Sequence, residues 1–131
     1  NKRLDRTEFM PFAPATLKED SSKCYQGIKG AEYTAEFMTI TFKCTDYMHE
    51  RSPGVVHLDS TARPQIVTKH SNPDFHQILE EYRQRTSIPS IINTSFNNHG
   101  EPIVCTPRDA LKSFKDSGLD YLAIGNFLVE Q

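Results

Sequence analysis

Two apolar spacings alternate along this chain. A period of two runs through "EYTAEFMTITFKC", with Phe37, Thr39 and Thr41 on one side and Met38, Ile40 and Phe42 on the other, and its β-branched and aromatic content predicts a strand. A helical period runs through "PDFHQILEEYRQRT", where Phe75, Ile78, Leu79 and Tyr82 share a face and Asn72 stands at the N-cap. "CTPRDALKSFKDSG" predicts a second helix, with Thr106 as N-cap, Pro107 at the first position and Gly118 at the stop.

Shorter signals fill the gaps. Pro11 and Pro14 in "EFMPFAP" hold the chain extended, and a short helix is expected in "ATLKEDSSKCY". "TDYMHERSPG" reads as a capped helical turn stopped by Pro53 and Gly54, followed by strands at "VVHLD" and, after the connection "STAR", at "PQIV". "PSIIN" is expected as a buried strand and "DYLAIG" as the last clear one. Strands alternating with helices predict an α/β or α+β layer, helices packed on a mixed sheet.

Composition narrows this picture. A length of 131 residues suits one domain with one substantial core, and 37% hydrophobic with 24% charged residues is the balance of a folded protein. No apolar run approaches the length of a membrane span, and no signal-peptide pattern opens the chain. A formal net charge of -2 argues against a nucleic-acid partner, the basic opening "NKRLDR" being the one candidate patch. Cys24, Cys44 and Cys105 are an odd set without CxxC spacing, which disfavours a disulfide framework and a structural zinc site. They are expected as buried or half-buried thiols of a cytoplasmic protein.

Two stretches carry candidate chemistry. In "NTSFNNHG", Asn93, Ser95 and Asn97 alternate directly after the predicted strand "PSIIN", at the end of a strand where open α/β sheets bind ligands. Amides and hydroxyls there suit a phosphate or carbamoyl group; a loop that hydrogen-bonds its own backbone is the competing reading. In "HLDSTARPQ", His57, Asp59, Ser60, Thr61 and Arg63 fall within seven residues. An arginine beside hydroxyls clamps phosphate oxygens through its planar fork, against the alternative of a surface Arg–Asp pair. His99 adjoins the first stretch, while His49, His70 and His76 lack partners at ligand spacing and are read as solvated.

Taken in order, "NKRLDRTEFMPFAP", "HLDSTARPQ", "NTSFNNHGEPIVCTPRDAL" and "GLDYLAIGNFLVEQ" resemble the carboxy-terminal domain of the NodU-type O-carbamoyltransferases over nearly the whole chain. The resemblance implies a YrdC-like fold, a twisted mixed β-sheet with packed helices. It implies a domain that converts carbamoyl phosphate and ATP, the latter with Mg, into carbamoyladenylate. A separate amino-terminal acceptor domain, which holds the family's metal site, then transfers the carbamoyl group to an acceptor hydroxyl. Ser95, Phe96 and Asn97 match the family's SxN element, and Arg63, Ser95 and Asn97 are the expected catalytic residues. Lys2, Arg3 and Arg6 are the candidates for its basic element; His57, Thr61, Asn93 and His99 complete the expected nucleotide and carbamoyl phosphate site, with no metal ligand in this chain.

The chain departs from the family where Met10 stands in place of a frequent Arg, and a "GPRALGNRS"-like segment expected before the basic opening is absent. The expectation is therefore one domain, residues 1–131, excised from a two-domain enzyme and inactive alone. Its expected partners are its own acceptor domain and small-molecule substrates, with neither membrane nor nucleic acid. The rival reading is a non-catalytic YrdC-like module that docks nucleotide or RNA.

Overall fold

The computed structural model describes residues 12–98 and 100–131. The expected basic element, Lys2, Arg3 and Arg6, lies outside the described residues, as do Met10 and His99. The described chain forms two compact units, 12–94 and 95–131.

The first unit is built around β1 (Ala13–Leu17), all five residues of which are buried. β1 pairs in parallel with β4 (Gln65–Val67) and antiparallel with β5 (Ser90–Asn93), giving a mixed sheet in the order β4-β1-β5. The short helix expected across "ATLKEDSSKCY" is thus corrected in its first part. Pro14 starts the segment extended and pairing on both edges keeps it so, leaving a 3-10 turn at Lys18–Asp20 and α1 (Ser21–Cys24) as the helical remainder.

The long strand expected in "EYTAEFMTITFKC" is also corrected. Glu32–Ala35 is a turn of helix, α2, Met38 takes a left-handed φ of 54°, and only Phe42–Lys43 is a strand, β2. Tyr33 and Phe37 stack edge to face one helical turn apart at 5.3 Å, and Ala35 is fully buried beneath them. β2 then finds a partner only two residues long, β3 (Thr61–Ala62).

α3 (Asp46–Arg51) is the expected helical turn but without its cap, since the Thr45 hydroxyl donates to the Lys23 carbonyl at 2.7 Å, and Pro53 opens a second 3-10 turn, Pro53–Val55. The strand expected at "VVHLD" does not form. Pro53 begins that turn, and Asp59 draws the chain back on Thr61, so pairing starts at Thr61 instead.

α4 (Pro73–Thr86) has Asn72 as its N-cap, accepting from the Phe75 amide at 3.2 Å, and Ser87 in the left-handed conformation closes it. Of its predicted face only Leu79 is fully buried and Phe75 half-buried; Ile78 is 59% exposed, because the three-stranded sheet is too narrow to cover the whole stripe. Arg83 ties the helix to the turn after β1 through Asp20 at 2.8 Å, and its other nitrogen pairs within the helix with Glu80 at 2.6 Å.

The two faces of β1 feed different cores. Ala15 and Leu17 pack with Val67 and Leu79 beneath α4. Thr16 faces the other way, where Tyr25, Ile28, Met48, Val55 and Ile66 form the larger cluster with Cys24 and Cys44. Each fully buried Leu, Ile or Met contributes about 1.5–3 kcal/mol. Burial pushes the Cys24 thiol up to about 12 and the Cys44 thiol up to about 11, so both are neutral packing groups. Cys105, expected with them, is instead exposed.

The second unit packs α5 (Pro107–Asp116) on a hairpin of β6 (Tyr121–Ile124) and β7 (Phe127–Glu130), with Ala110, Phe114 and Leu122 at its centre. Thr106 and Asp109 form a reciprocal capping box, Pro107 occupies the first turn, and Gly118 takes φ +59° beyond the helix end. β7 lies past the last strand read from the sequence. Its signal is the two-residue loop Gly125-Asn126, with φ +55° at the glycine, which a type II′ hairpin needs at its first loop position. The class is mixed α/β, with three small sheets in place of the single layer expected. Among the described residues no helix is long and apolar enough to cross a membrane.

The Thr16 hydroxyl and the Tyr25 hydroxyl meet at 2.7 Å in full burial. Burial raises the Tyr25 pKa strongly, so the pair is neutral. Tyr25→Phe orphans the Thr16 hydroxyl and should destabilise the protein by about 1–3 kcal/mol in urea titration. Adding Thr16→Val, which removes the orphan, should recover part of that loss. A Tyr25→Phe protein as stable as the parent would show that the bond contributes nothing.

Candidate phosphate and carbamoyl site

The sequence between α3 and β4 makes a tight polar turn. Asp59 accepts from the Thr61 amide at 3.0 Å and from the Thr61 hydroxyl at 2.7 Å, while the His57 amide donates to the Thr61 carbonyl at 2.7 Å. Ser60 sits at φ 66° in the reversal, and Leu58 is fully exposed at the tip. These bonds, side chain first and backbone second, hold the Asp59 carboxyl below the usual carboxylate range.

Thr61 commits its only proton to Asp59, so its 3.3 Å contact with His57 Nδ1 is one in which it accepts. That assigns the neutral His57 proton to Nδ1 and leaves Nε2 as a hydrogen-bond acceptor. Arg63 follows β3 with an exposed side chain, and among the described residues its guanidinium has no ion-pair partner. The Arg–Asp pair considered from sequence is absent, because Asp59 is engaged by Thr61. The predicted residues His57, Thr61 and Arg63 are therefore brought into one turn and its exit.

Asn93 closes β5 and donates to Gln65 Oε1 at 2.7 Å. The two side chains reach one another across Ala13 and Ala15 of β1, whose methyl groups leave that face low. The bond is structural, and Asn93 is held in the first unit.

Ser95 and Asn97 lie in the second unit and bond to each other, the serine hydroxyl donating to Asn97 Oδ1 at 2.5 Å. The Asn97 amide donates to the carbonyls of Asn98 at 3.1 Å and Glu101 at 2.7 Å. Asn98 in turn accepts from Ser117 at 2.9 Å and donates to Glu101 at 3.1 Å, and Glu101 pairs with Lys112 at 3.3 Å. Phe96 packs into the core of this unit, which sends its two neighbours outward. All the hydrogens of Ser95 and Asn97 are thus committed within the loop, and what remains is acceptor capacity on exposed oxygens. That suits a ligand N–H better than a phosphate oxygen.

Gln65 as the partner of Asn93 and Asn98 as the link to α5 were not singled out in the sequence. Asp59, weighed there as a partner of Arg63, instead anchors Thr61, and the Asp-x-Thr spacing is the signal for that role. For Gln65 and Asn98 there is none, since both bonds join residues 19 or more apart. Among the described residues no cluster of His, Cys, Asp and Glu is placed to hold a metal ion.

The fold is mixed α/β, with polar side chains hydrogen-bonded in a short turn of the first unit and a loop of the second. Comparison with known proteins makes this specific: the carboxy-terminal domain model of carbamoyltransferases matches residues 1–131, and the chain belongs to that family. It is 42% identical over its whole length to an uncharacterized protein of Methanocaldococcus jannaschii, of which it covers 25%. It is 36% identical over 96% of its length to nodulation protein NolO of Bradyrhizobium diazoefficiens, covering 23% of that protein. With nodulation protein U of Sinorhizobium fredii the identity is 32% over 72% of the chain, covering 16% of that protein. The chain therefore spans a quarter or less of the length of these relatives.

The turn around Asp59 should respond to acid with a defined sign. A depressed carboxylate pKa adds stability that is fully present above the ordinary Asp value of 3.8 and is lost as pH falls through the lower folded value. The Thr61 amide resonance should therefore titrate below pH 3.8 in the parent and lose that inflection in Asp59→Asn. An inflection at or above 3.8 would show that the bonds to Thr61 do not favour the ionised form.

Proposed function

We propose that this domain binds ATP and carbamoyl phosphate and forms carbamoyladenylate for transfer to an acceptor hydroxyl. The observation that carries the reading is the exposed Arg63, without an ion pair among the described residues, beside the ordered His57–Thr61 turn, in a chain matched over its full length by the carbamoyltransferase carboxy-terminal family. A YrdC-like fold is part of the same reading, supported by the mixed sheet and the Ser-Phe-Asn element at residues 95–97.

Water cleaves carbamoyl phosphate to carbamate and inorganic phosphate; attack of the carbamate oxygen on the α-phosphate of ATP then breaks the bond to pyrophosphate and builds charge on phosphate oxygens. Arg63 pairs with no carboxylate among the described residues, so its guanidinium is available to meet that charge. The acceptor oxygens of Ser95 and Asn97 suit the carbamoyl NH2, a group that acetyl and phosphoryl donors lack. With its Nδ1 proton directed at Thr61, the His57 tautomer presents Nε2 to accept a substrate N–H or O–H. Magnesium travels with ATP on phosphate and water ligands. Transfer to the acceptor belongs to a further domain of the intact protein, in keeping with the greater length of the relatives.

Arg63→Ala in a full-length carbamoyltransferase carrying this domain should lower carbamoyl-phosphate-dependent pyrophosphate release by about 10²–10³-fold. Its stability should shift by under about 0.5 kcal/mol, since the side chain is exposed and unpaired. Preserved activity per folded molecule would remove Arg63 from the chemistry.

A further inference from the structure

A concavity of about 470 Å³ lies in the first unit along the edge of β5 that is unpaired among the described residues. Its volume falls within the ~300–1,000 Å³ of typical small-molecule sites. Its walls are Arg51 at the end of α3, the 3-10 turn Pro53–Val55, Tyr82 of α4, and residues 88–92 leading through β5. None of these residues belongs to the site proposed for carbamoyladenylate formation.

Three features of this groove look for a partner. Arg51 is exposed and, among the described residues, has no ion pair. Leu17 donates to the Pro89 carbonyl, so the bonded pairs of the ladder are 17 with 89, 15 with 91 and 13 with 93. Alternation then turns the backbone N–H and C=O of Ser90 and Ile92 away from β1, toward the groove. Finally, Ser90 is 3% exposed and its hydroxyl has no hydrogen-bond partner. A buried hydroxyl of this kind weakens the free fold. The apolar lining completes the surface: Ile92 is 56% exposed and Tyr82 37%.

A guanidinium, an open pair of backbone amide groups and a branched apolar wall match three parts of one ligand. We propose that the groove beside β5 binds an N-acylated amino acid with a free carboxylate and a branched apolar side chain. The carboxylate pairs with Arg51, the acyl amide adds to the open edge at Ser90 and Ile92, and the side chain packs on Ile92 and Tyr82. Strand addition of this kind gives affinity through the main chain and selectivity through the side-chain pocket.

The test is titration of N-acetyl-L-leucine into the 15N-labelled chain, followed by amide shifts. Saturable shifts at Ser52, Gly54 and Val55 and at Ser90 and Ile92 are expected, with N-acetyl-L-leucinamide, which lacks the charge, much weaker. Arg51→Gln should weaken N-acetyl-L-leucine by about ten- to a hundredfold, the usual effect of losing a hydrogen bond to a charged group. Arg85→Gln, on an exposed arginine paired with Glu81, should leave it unchanged, and a dispersed spectrum checks that each variant is folded. No shift at Ser90 and Ile92, equal binding of the leucinamide, or indifference to Arg51→Gln would overturn the proposal. Tighter binding of N-acetyl-Gly-Ala-Leu than of N-acetyl-L-leucine would also overturn it, assigning the groove to a peptide carboxy terminus.

Discussion

Both faces of β1 lie out of water, and the first unit follows from that constraint. Five consecutive buried residues leave a strand no solvent for its backbone, so β4 and β5 must pair with it on either side. Alanines at 13 and 15 let Gln65 and Asn93 bridge over the strand, while Thr16 on the opposite face requires the Tyr25 hydroxyl. Tyr25 in turn stands at the junction of α1 with the β-bridge to Cys44, so one buried hydrogen bond links the sheet to the larger core.

The polar stretches on each unit obey a shared logic. Asp59 takes the hydrogens of Thr61, and Asn97 takes that of Ser95 while giving its own to backbone carbonyls. Each network fixes side chains that would otherwise rotate, and so removes the ordering entropy that a ligand must otherwise overcome. It also sets the sign of what is left exposed: a cation at Arg63, acceptors at Ser95 and Asn97.

Local chemistry by itself determined the elements whose stabilising contacts are close in sequence. Thr106, Pro107 and Gly118 delimit α5 through capping bonds spanning a few residues, and Asn72 starts α4 in the same way. The family motifs around Arg63 and Ser95 were legible for a related reason, since a turn or loop that orders its own donors must carry them in adjacent positions.

Tertiary structure decided what depended on distant partners. Alternation in "EYTAEFMTITFKC" suited a strand, but a strand needs an edge of matching length, and β3 offers two residues, so a helical turn formed in its first part. "ATL" became the central strand because two other strands flank it, a fact no local propensity contains. The width of the sheet settled which residues of α4 were buried, and the free edge of β5 settled where backbone groups remained open. Sequence spacing encodes contacts within a turn or two of chain; pairing edges, burial and unsatisfied groups arise only when segments 20 to 80 residues apart compete for the same space.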